Sequence, residues 1–493
     1  MSAIRVLVID LNNFARYPTI AVGYLASILR ASDIAVTVYS PLAHGVPGIE
    51  REQPETILRS MGRRLSYLLA ARPNPLISAA AGAVSAVRDQ WAKRDFRRIV
   101  AGFDAIDPNS YDVVLISAYL MYRDVCEEVG QRCRARGLPL IVGGSYFASS
   151  EVASAWVSLP GLTALIGGEV ELELADIVRA ADQDEDLSRF AGVWLPSGAG
   201  GSRPPLTTLD QVPFPDYRDF PWDKYPNAII PIISGRGCGW GVCTFCSDVT
   251  SSAGRTFRSR SPENVLAEIE LQSARHNAQL FAFTDLKLNS NESMWDALIA
   301  NIQSKAPNAN WICSVHVDRK LPNGLDRNSL VRARQSGLVR VTTGLESGSQ
   351  RVLDRMAKGT DLAETSRFLA DATSAGISVR VTMIHGYPGE EPEDVIASAE
   401  FLERNSNTID RVSLNRFQIM LGPSFLRRYA EDPSRFPDVR NVVAQPALAI
   451  ASHERASVGT KAHIRATQRL LSAVHQINCK PLRDGAAQFE GVM

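Results

Sequence analysis

Short apolar, β-branched runs alternate with helix-patterned stretches along most of this chain, and that alternation restricts it to α/β architectures built on parallel sheets. Near the start, "IRVLVID" (4–10) and "IAVTVYS" (34–40) flank "PTIAVGYLASILRAS" (18–32), which opens on proline and carries helical apolar spacing. "DVVLISAY" (112–119), "LPLIVGGS" (138–145) and "LTALIGGE" (162–169) continue the series. Strands this apolar must be covered on both faces, and ligands of such sheets bind beyond the strands' carboxyl ends.

A second alternation follows with "AIIPIIS" (228–234), "LFAFTD" (280–285), "WICSVHV" (311–317), "LVRVTTG" (338–344), "ISVRVTMIHG" (377–386) and "RVSLNRFQI" (411–419). Helical patterns such as "SPENVLAEIELQSARH" (261–276) fall between them. Six β/α units predict a partial (β/α)6 barrel whose chemistry gathers on the loops after the strands. The chain of 493 residues thus divides into an α/β domain over 1–194, a Pro- and Gly-rich connection over 195–227, the barrel over 228–424, and a mostly helical region over 425–493. Its tail, "PLRDGAAQFEGVM", is expected to order poorly. Residues 45–108 interrupt the first alternation with two or three inserted helices, whose Arg and Lys residues read as a solvated face and include an Ala-rich run, 76–87, read as a buried helix.

The formal net charge is zero, so no global field draws the chain to nucleic acid or anionic lipid, and neither is expected as a partner. No apolar run reaches the length of a membrane span, and the opening lacks the segments of a signal peptide. Seven cysteines, unevenly spread, argue against a disulfide scaffold and for a reducing, cytoplasmic location.

Three of them, Cys238, Cys243 and Cys246, crowd the loop "SGRGCGWGVCTFCSD" (234–248) after the first barrel strand. Structural zinc sites use four protein ligands, and no second CxxC or CxxH pair occurs. A 4Fe-4S cluster held by three thiolates keeps one iron open to a small molecule, and this reading is favoured over a zinc-stabilised, non-catalytic interaction protein.

The cysteine loop, "FRSRSPENVLAEI" after it, "GLESGSQRVLDRMAKG" (344–359) and "GYPGEEPEDV" (386–395), in that order, resemble the radical S-adenosylmethionine (SAM) superfamily, in its subclass with an amino-terminal cobalamin-binding domain. The usual spacing there is CxxxCxxC. Here an extra residue falls in "GWGV", where two glycines let the loop bulge. The resemblance implies a 4Fe-4S cluster on the three cysteines, SAM on its open iron, and an electron from a flavodoxin or ferredoxin that cleaves SAM to a 5'-deoxyadenosyl radical. By position in the motifs, Phe245, Gly386 and Tyr387 border the adenine, Asp285 meets the amino group, and Glu346 and Ser347 face the ribose and carboxylate. Plainer roles stand beside these: Phe245 as loop packing, Asp285 as a cap, Glu346 as an ion-pair partner. His316 and His385 also end strands, as substrate contacts or as satisfied barrel histidines.

For the first domain the resemblance implies a flavodoxin-like, Rossmann-type cobalamin fold. Asp10 matches the DxHxxG motif, Asn12 stands at its histidine and Ala15 at its glycine, while Ser117, Tyr119, Gly143 and Gly144 match the later loops. Cobalt then has no protein imidazole below it. The activity implied is a C-methyltransferase of natural-product biosynthesis, moving a methyl group through cobalamin to an unactivated carbon of a small-molecule or peptide substrate. The same family contains rearranging, cyclising and redox enzymes that transfer no methyl group.

Overall fold

A computed structural model describes residues 3–71, 75–198, 200–246, 257–319, 323–422, 424–455 and 459–492, with side chains throughout except at 70, 75–89 and 424. The amino-terminal sheet contains β1 (Arg5–Asp10), β2 (Ala35–Tyr39), β3 (Val113–Ser117), β4 (Leu140–Gly143), β5 (Leu162–Ile166) and β6 (Val193–Trp194), in the order β2-β1-β3-β4-β5-β6. All its pairings are parallel except that of β6 with β5. Helices α1 (Ile20–Ala31), α2 (Ile57–Ala71), α3 (Pro75–Ala105), α4 (Arg123–Arg136), α5 (Ser150–Trp156) and α6 (Leu174–Asp182) occur along the same stretch. Valines and isoleucines on both faces of β1 and β3 are buried in two separate clusters, which is why these strands lack alternation.

The predicted insertion is the pair α2 and α3. The Ala-rich run lies in the backbone of α3, and its burial falls outside the described side chains. Part of the α2 surface is held: Arg64 donates to Gln468 and Ser472.

The barrel sheet has the order β14-β13-β12-β11-β10-β7, parallel throughout. Its strands are β7 (Ile229–Ile232), β10 (Leu280–Phe283), β11 (Asn310–Val315), β12 (Leu338–Glu346), β13 (Ser378–His385) and β14 (Arg411–Arg416), with a small ribbon of β8 (Gly235–Arg236) and β9 (Arg258–Ser259) after β7. Helices α7 (Pro262–His276), α8 (Glu292–Lys305), α9 (Arg327–Gln335), α10 (Gln350–Arg355), α11 (Leu362–Ser374) and α12 (Pro392–Arg404) follow in turn. Ser261 caps α7 through Asn264 N–H, and Asp361 caps α11 through two backbone N–H groups. The connection between the two sheets is packed: Tyr217 is fully buried and its hydroxyl donates to the Pro231 carbonyl. A Cβ at position 23 would stand 2.5 Å from that ring, so Gly23 is what lets α1 approach it.

Beyond the barrel, α13 (Ser424–Glu431) and α14 (Lys461–Asn478) are helical as expected. The reading of this region as mostly helical is corrected at 450–455, because β15 (Ile419–Met420), β16 (Val439–Gln445) and β17 (Ile450–Arg455) form a three-stranded antiparallel sheet. Pairing with β16 overrides the helical composition of "ALAIASHER".

The tail is also corrected, from poorly ordered to packed. Phe489 and Val492 are fully buried against Ile229, Ala282, Ile312 and Val339. Arg340, itself buried, donates to the carbonyls of Phe489 and Val492. Two apolar side chains and a buried guanidinium that needs acceptors outweigh the cost of ordering a polar tail.

Candidate functional site

The register of the first sheet gathers its ligand candidates. Asp10 pairs with Ser117, and Ser117 with Gly143, so the three share one row at the carboxyl ends of β1, β3 and β4. A cavity of about 600 Å³ opens beside Ser117, Gly143 and Gly144 and runs to Arg236, Gly237 and Cys238 in the barrel's cysteine loop. A Cβ at Gly143 would meet nothing closer than 3.9 Å, so glycine leaves open a space that a side chain would take. That bare cradle, facing the cysteine loop, fits a bulky ligand of the cobalamin type.

Other predicted contacts in this domain are placed differently. The Asp10 carboxylate accepts from Asn12 N–H, Asn13 N–H and the Thr19 hydroxyl, fixing the loop after β1. Its burial raises the carboxyl to about 6 against those hydrogen bonds. Asn12 donates to Ser117 Oγ at 3.0 Å, a tie that no imidazole of the family motif makes here. The Tyr119 hydroxyl accepts from Arg51. Asp10, Asn12 and Tyr119 are not among the residues lining the cavity.

Ion pairs hold the two sides of the cavity together. Arg236 of β8 reaches Glu171 at 2.7 Å, and Arg258 of β9 reaches Glu169 at 2.9 Å. Both glutamates follow β5 in "IGGEVE". The arginines sit in "SGRG" and "FRSRS", so their role lay inside quoted motifs but needed the partner domain to be seen.

Cys238, Cys243 and Cys246 are half-buried and belong to no disulfide. Gly241 takes left-handed angles (φ 58°) and Gly239 does not, so one glycine of "GWGV" accommodates the bulge. Trp240, between them, donates its indole N–H to the Ala357 carbonyl at 2.9 Å. Its ring covers Gly359, where a Cβ would stand 1.9 Å away.

Lys358, one residue before that glycine, pairs with Glu346 at 3.1 Å and lies 5.8 Å over the Phe245 ring. Burial pulls the Lys358 pKa down, but the charges of Glu346 and Cys243 more than offset it and hold the group above its ordinary value. A Cβ at Gly344 would collide with both Glu346 and Lys358, so this glycine makes room for the pair. Three thiols on one loop, none of them in a disulfide and with an ammonium group close by, suit a thiolate-bound 4Fe-4S cluster.

Asp285 is buried and accepts from Ser234 N–H, the Ser234 hydroxyl and Gly235 N–H, so it fastens the base of the cysteine loop and does not cap the next segment. Desolvation raises its carboxyl to about 6, opposed by those bonds. Ser347, directly after β12, is fully buried with its hydroxyl 3.2 Å from Ser398 Oγ on α12. Gly386 has φ 88° and donates to Glu390. The Tyr387 hydroxyl lies 2.7 Å from Thr244 Oγ1 in the cysteine loop. Sequence reasoning missed Thr244 and Lys358, although both lie within motifs it quoted. His316 is a satisfied barrel histidine, with Thr360 at 3.3 Å and Asp318 at 3.6 Å.

The radical SAM superfamily profile matches residues 232–402. An uncharacterized methyltransferase of Pyrococcus horikoshii is 25% identical over 252 residues, covering 50% of this chain and 53% of the relative. An anaerobic magnesium-protoporphyrin IX monomethyl ester cyclase of Rubrivivax gelatinosus is 26% identical over 248 residues, 48% of this chain and 43% of the relative. The chain therefore spans about half the length of these curated relatives. Among solved structures, the radical SAM methyltransferase TsrM from Kitasatospora setae, with cobalamin and a 4Fe-4S cluster bound, superimposes with a TM-score of 0.65 at 16% identity, over 96% of this chain and 91% of that one. That likeness extends the shared fold across both sheets. The similarity to the radical SAM superfamily thus lies in residues 232–402, the part of the chain that carries the three-cysteine loop.

Proposed function

We propose that the protein is a cobalamin-dependent radical SAM C-methyltransferase acting on an unactivated carbon of a natural-product small molecule or peptide. The observation that carries the reading is the continuous cavity from Ser117, Gly143 and Gly144 to Cys238, which brings the two cofactor regions face to face. When bound, the cluster and SAM supply a 5'-deoxyadenosyl radical, and cobalamin supplies a transferable methyl group.

The residues hold and enclose. Cys238, Cys243 and Cys246 take the cluster, and the Glu346–Lys358 pair sets charge beside it. Phe245, Gly386 and Tyr387 are assigned to the adenine side. Asp285 acts through the loop it fastens, and Ser347 through its packing on α12. Residues 1–194 form the cobalamin domain in this reading, 195–227 the connection, 228–424 the barrel, and 425–493 a cover. A flavodoxin or ferredoxin supplies the electron, and cysteines that form no disulfide suit a cytoplasmic location. Among the described residues no helix is long and apolar enough to cross a membrane.

A second reading, a radical reaction without methyl transfer, is favoured by the likeness to the cyclase. Anaerobic incubation of the cluster- and cobalamin-loaded chain with SAM deuterated at its methyl group separates the two. Label moving into the corrinoid fraction, with S-adenosylhomocysteine released, is the expected result. Deoxyadenosine formed with neither would overturn the methyltransferase reading.

A further inference from the structure

His385, at the end of β13, meets Glu390 and His463 of α14 in a buried cluster outside the cysteine loop. Their ligand atoms all lie within 4.8 Å of one another. The three residues are 5%, 3% and 1% exposed, so solvent does little to satisfy them. His385 Nδ1 is 3.2 Å from Glu390 Oε2, and His385 Nε2 is 2.8 Å from Thr467 Oγ1. The His463 ring centre is 5.4 Å from that of His385, and neither of its ring nitrogens finds a partner among the described residues.

A neutral imidazole has one donor and one acceptor, and leaving each unmet in the interior incurs the desolvation penalty of that group with no hydrogen bond to offset it. Nothing in hydrophobic packing requires a histidine at 463. The nearby charges favour a cation: Arg455 is paired with Asp438 at 2.8 Å, so Glu390 is the carboxylate that faces the two imidazoles. His463 and Thr467 are four residues apart on α14 and share one face. That spacing lets a single helix offer one ring as a ligand and one hydroxyl to orient the other ring. When Thr467 accepts from His385 Nε2–H, the Nδ1 lone pair and the Glu390 oxygen become two acceptors 3.2 Å apart, an arrangement a bound cation stabilises.

We propose that His385, Glu390 and His463 form a divalent transition-metal site of the zinc class. Two imidazoles and one carboxylate suit zinc, whereas magnesium and calcium take oxygen donors. The ion ties α14 to the strand end that carries Gly386 and Tyr387. It shares no ligand with the cysteine loop, so it stands or falls separately from the proposed function.

The test measures zinc and iron in the same sample of full-length, cluster-reconstituted protein after zinc loading and gel filtration. About one zinc per chain is expected in the wild type, falling below about one tenth in His463→Gln and in Glu390→Gln, with iron unchanged. The triple variant Cys238→Ala, Cys243→Ala, Cys246→Ala loses iron and keeps zinc. Absence of zinc from the wild type, its retention in His463→Gln, or its loss with the cysteines overturns the proposal. Cobalt(II) added to the triple-cysteine variant serves if the histidine variants fail to fold. Visible absorption of four- or five-coordinate cobalt without thiolate charge transfer is expected, and the spectrum of free cobalt overturns the site.

Discussion

The hydroxyls of Tyr387 and Thr244 lie 2.7 Å apart, joining the turn after β13 to the middle of the cysteine loop. Thr244 stands between Cys243 and Phe245, and its N–H donates to the Met356 carbonyl at 2.9 Å. Two of the segments that carry the family resemblance thus meet at one buried contact. Tyr387→Phe keeps the ring and removes this bond, at a cost of about 1 kcal/mol to the loop. Iron loss to a chelator should quicken severalfold, and an unchanged rate would show that the contact does not brace the loop.

The Glu346–Lys358 pair is buried on both sides, and removing one partner leaves the other charge stranded. Lys358→Met should destabilise the apo-protein by about 3–5 kcal/mol in denaturant unfolding. Adding Glu346→Gln should recover most of that loss. Strict additivity of the two single effects would argue against coupling.

Gly359 lies under Trp240 at φ 68°, so an added methyl meets both an indole and an unfavourable backbone. Gly359→Ala should lower the midpoint of thermal unfolding and expel Trp240 from its contact, visible as a red-shifted tryptophan emission. Trp240→Ala in the same chain should restore part of the midpoint, because only the steric component is relieved. No recovery in the double variant would assign the whole cost to backbone strain.

Asp285 confers a pH dependence whose sign follows from its surroundings. Burial raises its folded carboxyl to about 6, so the folded chain binds that proton more tightly than the unfolded one. Its contribution to stability is complete below about pH 4 and is lost as the pH rises towards 6, by up to about 3 kcal/mol. Asp10 shifts in the same direction to about 6 and acts in the same window. Asp285→Asn should therefore remove roughly half of their joint decline between pH 4 and 6, measured by urea unfolding of the apo-protein. An identical pH slope in wild type and variant would contradict the shift.

Much of this was legible in order along the chain. Apolar, β-branched runs bounded by turn residues marked each of the six barrel strands, because burial on both faces selects such residues wherever the strand sits. The three thiols on one loop announced a metal cofactor before any fold was known, since three cannot all pair as disulfides and no second CxxC or CxxH pair completes a structural zinc site. Partnership was not legible. That Arg236 would find Glu171 depends on how two distant segments pack, and that Gly344 must be bare for Glu346 to reach Lys358 depends on how the chain after α10 returns to the end of β12. Composition also misjudged two segments: 450–455 became strand by pairing with β16, and the tail became core by packing beside Arg340.

The sequence alone determined the strands of the two parallel sheets and the cysteine loop, because hydrophobic period and thiol spacing are local properties. Only the tertiary structure decided that Ser117, Gly143 and Gly144 face Cys238 across one cavity, and that His385 and His463 meet in the interior. Those relationships arise from how two sheets and a terminal helix pack, and packing is a property of surfaces that no single segment carries.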